Sequence, residues 1–100
     1  MATKDEILDF LARNKQYFRD RYGVTKIGLF GSYARDEQTS GSDIDIVIEF
    51  EKNTPNLYDL KREIKDFIKR SLNLNVDIAR EKYIKPIYKD SILKETIYVE

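Results

Sequence analysis

Two aspartates one residue apart, Asp43 and Asp45, open the run DIDIVIEF at residues 43–50. Acidic and apolar residues alternate there before the run turns apolar, which predicts a β-strand. Side chains alternate along a strand, so both carboxylates face one side while Ile44 and Ile46 face the other. With Cα atoms roughly 6.5–7 Å apart, two such carboxylates can converge on one divalent ion. Left without a cation they repel and raise each other's pKa. A third acid, Asp77, lies between Val76 and Ile78 in the strand-like run at residues 74–79. If the two strands are neighbours, the three carboxylates form a cluster of the kind that holds two metal ions about 3.5–4 Å apart for in-line phosphoryl or nucleotidyl transfer. Oxygen-only ligands favour Mg²⁺ or Mn²⁺ over zinc.

A second group of residues complements these acids. The β-type run at residues 24–30 leads directly into Gly31 and Ser32. Glycine lets the backbone approach an anion closely, and the turn that follows offers free N–H groups. Ser32 adds a hydroxyl, and Arg35 can pair with a phosphate oxygen or with an acidic neighbour. A Gly-Ser turn or an Asp-x-Asp is unremarkable alone. The order and strand context of both together point to a phosphate hole beside a metal site. The plainer alternative is that Asp43, Asp45 and Asp77 cap loops or pair with Arg35 and Arg80.

Composition narrows the chemistry. The chain has 100 residues, 18 Lys+Arg against 18 Asp+Glu, no cysteine and no histidine. That excludes thiolate and imidazole metal sites and a Ser-His-Asp triad. Zero net charge argues against direct nucleic-acid binding. No apolar run reaches membrane-spanning length, and the charged start ATKDEILDF does not read as a signal peptide, so a cytoplasmic address is expected.

The surrounding elements read as scaffold in one domain, residues 1–100. Thr3 and Glu6 form a capping box for a helix whose apolar stripe (Ile7, Phe10, Leu11, Phe18) runs to about Tyr22, where Gly23 ends it. Residues 33–35 suit a short helix and residues 36–42 a loop. Pro55, capped by Thr54, is expected to start a long amphipathic helix carrying Leu57, Leu60, Ile64, Phe67, Ile68 and Leu72. Residues 80–100 read as a helix with Pro86 early in it, then a β-prone ending. Arg80, Lys82 and Lys85 read as a solvated basic run, and Tyr83, Tyr88 and Tyr98 as packing residues. The expected class is α/β (α+β), a small mixed sheet flanked by about four helices.

The version GSYAR…SDIDI, with ten residues from Tyr33 to Ser42 between Gly-Ser and Asp-x-Asp, resembles the signature of the polymerase-β-like nucleotidyltransferase superfamily. In so short a chain it is most similar to the minimal nucleotidyltransferases, often the antitoxin half of HEPN–MNT toxin–antitoxin pairs. The resemblance implies the nucleotidyltransferase fold. It implies that Gly31 and Ser32 cradle the triphosphate of ATP, with Arg35 and Ser42 among the nucleotide-binding residues. Asp43, Asp45 and Asp77 would be the catalytic and metal-binding set, with two Mg²⁺ ions and Asp77 orienting or deprotonating the attacking hydroxyl. It further implies transfer of AMP to a tyrosine of a partner HEPN ribonuclease, which silences the toxin. One position departs from the family pattern: Asp36 stands where glycine commonly follows the arginine.

Two other readings accompany this one. The chain could neutralise a toxin by binding alone, or transfer nucleotides to a small molecule. Homo- and hetero-oligomers are both open. The size of the chain leaves no room for a second domain to hold the acceptor, which favours a partner protein supplying that wall.

Overall fold

The structure is a computed structural model that describes residues 2–99. Its elements are α1 (Lys4–Arg13), α2 (Lys15–Tyr22), β1 (Val24–Phe30), α3 (Gly31–Ala34), β2 (Ile44–Phe50), α4 (Leu57–Leu72), β3 (Val76–Arg80), α5 (Pro86–Glu95) and β4 (Ile97–Tyr98), with a 3-10 turn at Glu81–Tyr83. The strands form one mixed sheet in the order β3-β2-β1-β4. β1 runs antiparallel to β2 and β4, and β2 runs parallel to β3. A parallel pair needs a crossover, and the long α4 supplies it. The expected α+β class with a mixed sheet is what the chain adopts.

One face of the sheet carries the apolar core. Ile44, Ile46 and Ile48 of β2 join Ile27 and Leu29 of β1, Ile7 and Leu11 of α1, Phe18 of α2, and Ile64 and Ile68 of α4, all buried. Each such aliphatic side chain contributes about 1.5–3 kcal/mol when removed from water. Phe67 of α4 locks the two N-terminal helices, stacking 6.0 Å from the Phe10 ring and meeting Phe18 edge-on at 5.6 Å. Val47, of opposite parity on β2, is buried too but outside this cluster. α3 and α5 pack against β1 and each other.

Several local expectations are corrected. The N-terminal helix is two helices, because Asn14 leaves helical geometry (φ −103°, ψ 4°) and its side-chain amide donates to the Phe10 carbonyl at 2.8 Å. Side chains that bond nearby backbone in this way compete with helix continuation. Thr3 does cap the start, accepting from the Glu6 N–H at 3.2 Å. Gly23 ends α2 in the left-handed region as expected, at φ +75°. Pro55 and Thr54 do not start the long helix. Thr54 donates its hydroxyl to the Glu51 carbonyl, and α4 begins at Leu57 after a left-handed Asn56. The third strand is shifted, running from Val76 to Arg80, and a 3-10 turn precedes the last helix, which has Pro86 at its start as expected.

Gly28 explains how the C-terminal segment reaches the sheet. A Cβ at this position would lie 2.8 Å from Thr96 Cγ2, 3.0 Å from Tyr98 Cδ1 and 3.1 Å from the Ile97 carbonyl. Only glycine lets β4 lie so close on this part of β1.

Candidate active site

Strand register brings the predicted residues together. Asp45 pairs directly with Asp77 in the parallel β2–β3 ladder, and with Phe30 in the antiparallel β1–β2 ladder. Gly31, the residue after Phe30, therefore sits beside Asp45. Its φ is +77°, a conformation glycine adopts readily, and a Cβ there would run into the Asp45 carboxylate. Glycine is required here twice over, by conformation and by space. Asp43 lies just before β2 instead of in it, since the ladder begins at Ile44 opposite Val76.

Asp43 and Asp77 are exposed and Asp45 is half-buried. Among the described residues none of the three forms an ion pair, so the plainer alternative of pairing with Arg35 or Arg80 does not hold. Burial, then the charges of Asp77, Asp43 and Glu95, push the Asp45 carboxyl from its ordinary 3.8 to about 6, with Arg35 opposing. The cluster thus carries more negative charge than its protein neighbours neutralise. Its donors are all oxygen, the chemistry that suits a hard divalent cation. Among the described residues no three carboxylates are drawn close enough together to ligate one ion.

Sequence reasoning missed Glu95, at the C-terminal end of α5. One carboxylate oxygen accepts from the Gly31 N–H at 3.2 Å, and the other accepts from Arg35 Nη1 at 2.8 Å. Arg35 Nε donates to Glu37 at 2.8 Å, and these two acids, Glu95 foremost, hold the guanidinium firmly charged. Nothing in the sequence marks a glutamate 64 positions away as a partner of Gly31. The closeness of β4 at Gly28 creates the contact.

The Gly-Ser turn closes with Asp36 in a left-handed position. The Glu37 N–H bonds to the Ser32 carbonyl at 2.9 Å and the Asp36 N–H to the Tyr33 carbonyl at 3.2 Å, with Asp36 at φ +60°. This is the Schellman arrangement, whose left-handed position glycine fills best and aspartate tolerates. Ser32 is half-buried at the turn. The Ser42 hydroxyl accepts from the Thr39 N–H at 2.9 Å and so holds the loop together.

The opposite end of the same strands is scaffold. Arg80 donates to Glu49 at 3.1 and 2.6 Å and lies over the Tyr83 ring at 4.9 Å. Open recesses of about 450 and 580 Å³ flank Arg80 and Tyr83, well away from the carboxylates. Tyr83 and Tyr88, expected to pack, are 68% and 58% exposed, whereas Tyr98 is half-buried and donates to Glu81 at 3.0 Å.

Residues 11–99 match the nucleotidyltransferase domain family. The chain belongs to this family. A provisionally named protein adenylyltransferase of Methanocaldococcus jannaschii is 42% identical over 100 residues, covering 99% of this chain and all of that one. The protein adenylyltransferase MntA of Thermococcus cleftensis is 36% identical over 99 residues, covering 99% and 98%. A solved structure of a provisionally assigned minimal nucleotidyltransferase superimposes with a TM-score of 0.72 at 29% identity, covering 90% of this chain and 93% of that one. A crystal structure of a toxin–antitoxin with AMP-PNP shares the fold, with a TM-score of 0.67 at 21% identity over 97% and 72% of the two chains. The expected minimal nucleotidyltransferase of the polymerase-β-like superfamily is borne out, and the chain is an enzyme of the nucleotidyltransferase class. No helix among the described residues is long and apolar enough to cross a membrane.

Proposed function

We propose that this nucleotidyltransferase transfers AMP from ATP to a tyrosine hydroxyl of a partner HEPN-type ribonuclease toxin and so silences it as its antitoxin. The observation that carries the reading is the unpaired Asp45 beside Asp77 and Gly31, with its carboxyl pushed up to about 6. Relatives named as protein adenylyltransferases, matching nearly end to end, support the reaction, and the toxin–antitoxin fold neighbour is consistent with the partner.

In this reading Asp43 and Asp45, with Asp77, would hold Mg²⁺, for which their all-oxygen donor set is suited. When bound, the metal neutralises charge developing on the transferring phosphoryl group and the leaving oxygen. The Gly31 N–H, Ser32 and Arg35 take the triphosphate and hold its α-phosphorus in line with the acceptor, and Ser42 keeps the loop before Asp43 closed against the nucleotide. Asp77, exposed at the sheet edge, takes the proton of the attacking hydroxyl. The oxygen–phosphorus bond to AMP forms as the bond to the bridging oxygen breaks, and pyrophosphate leaves. The partner supplies the wall that would hold the acceptor. A cytoplasmic setting, where ATP and Mg²⁺ are abundant, fits this chemistry.

A second reading, silencing by binding alone, is favoured by one observation. No three carboxylates among the described residues close around a single ion position. Incubation of the protein with its partner, ATP and Mg²⁺ decides between them. Intact-mass spectrometry is expected to show the partner heavier by AMP; an unmodified but silenced partner would establish the binding reading instead.

A further inference from the structure

Glu95 is out of place for a residue that only stabilises the fold. Its carboxylate adds negative charge near Asp45, whose ionisation burial and the charges of Asp77 and Asp43 already disfavour. Yet its two oxygens take a backbone N–H and a guanidinium N–H at once, from Gly31 and Arg35. A forked pair of donors, one of them cationic, is what a phosphate group also requires. We propose that Glu95 is an internal stand-in for a nucleotide phosphate, holding the Gly31 amide and the Arg35 guanidinium in their anion-binding arrangement until an incoming polyphosphate displaces it. The inference rests on the reading that the Gly31–Arg35 turn receives the triphosphate.

The segment carrying Glu95 is built to yield. Among the described residues α5 has no buried residue, and β4 is a two-residue strand held to β1 by the pairs Gly28–Tyr98 and Leu29–Ile97 and by the Val99 N–H on the Ile27 carbonyl at 3.1 Å. Segments with few buried apolar contacts open at low free-energy cost. Displacement would also relieve the acidic cluster of one repelling charge as the nucleotide, with its cation, arrives.

Calorimetric titration with ATP plus Mg²⁺, and separately with inorganic tripolyphosphate, tests this on wild type, Glu95→Gln, Glu95→Ala and Asp36→Asn. Both Glu95 variants are expected to bind about three- to tenfold more tightly than wild type, since they remove a competitor for two charge-assisted donors. Asp36→Asn removes the same charge from the turn without freeing the Gly31 amide, and its gain should be smaller. Binding by the Glu95 variants but not by wild type is the same result in extreme form. Wild type binding as well as or better than the Glu95 variants overturns the stand-in role while leaving the nucleotide site intact. Equal gains for Asp36→Asn and Glu95→Gln overturn it too, since general charge relief then accounts for both. If no form binds either ligand, the nucleotide reading falls with it. Thermal melts confirm that the variants fold, and the isosteric Glu95→Gln decides should Glu95→Ala not do so.

Discussion

Asp45 and Glu49 lie on one strand, four positions apart and on the same face, and the protein treats them in opposite ways. Burial raises both. At Glu49 the Arg80 guanidinium and the N–H groups of Lys82 and Phe50 outweigh it and hold the carboxyl below its usual range. At Asp45 the neighbours are Asp77, Asp43 and Glu95, and the carboxyl stands at about 6. The sheet is able to satisfy an acid fully, and does so at the Glu49 end. Unrelieved charge at the other end is therefore a property of the site and not of the scaffold.

Neutralising each end in turn tests the contrast. The largest expected effect is on chemistry. Asp43→Asn with Asp45→Asn should lower AMP transfer to the partner by about a hundredfold or more, as removal of transition-state electrostatics commonly does, measured by partner mass shift in a folded variant. Full transfer by the double variant would remove the metal assignment.

At the satisfied end the loss should be in stability. Arg80→Ala leaves Glu49, whose side chain is 22% exposed, without its cation, and should cost about 2–3 kcal/mol in denaturant unfolding. Transfer per folded molecule should be unchanged.

Asp45→Asn alone should do the reverse. The folded carboxyl titrates near 6 against an ordinary 3.8, so the native state binds the proton more tightly than the unfolded chain. That stabilisation is present below the unfolded value and is lost as pH rises through 6. The variant should therefore exceed wild type by about 1–2 kcal/mol near pH 7, a figure reduced for the group's partial solvent exposure, and match it near pH 4. Equal stabilities near pH 7 would mean that the acidic end is no less relaxed than the basic one.

The smallest effect concerns the turn between them. Asp36→Gly relieves the left-handed strain at φ +60° and should add about 1 kcal/mol of stability with transfer retained; a loss would show that the aspartate has a contact of its own.

Much of this contrast was legible in the sequence. Alternation in DIDIVIEF and in NVDIA located two strands, and Gly31 announced a tight approach. The match of Asp45 with Asp77 required register, which no local pattern encodes, although the apolar faces of both strands permit few alternatives. Thr54 misled as a cap because its hydroxyl bonds to the Glu51 carbonyl instead, and the break at Asn14 went unread because its amide competes for the Phe10 carbonyl in the same way. Glu95 was illegible for a different reason. On a surface helix without a buried residue a glutamate carries no local mark, and only tertiary contact gives it a role.

That contact depends on a hydrogen atom. Because Gly28 has no side chain, β4 lies on β1, and α5 ends where Glu95 reaches the Gly31 amide. Position 28 therefore works as a remote tuning point. A substituent there touches no reacting group, yet by lifting Thr96 and Tyr98 it would lengthen the reach from Glu95 to the turn. Variation at this buried site could grade nucleotide affinity while every residue of the acidic cluster stayed the same.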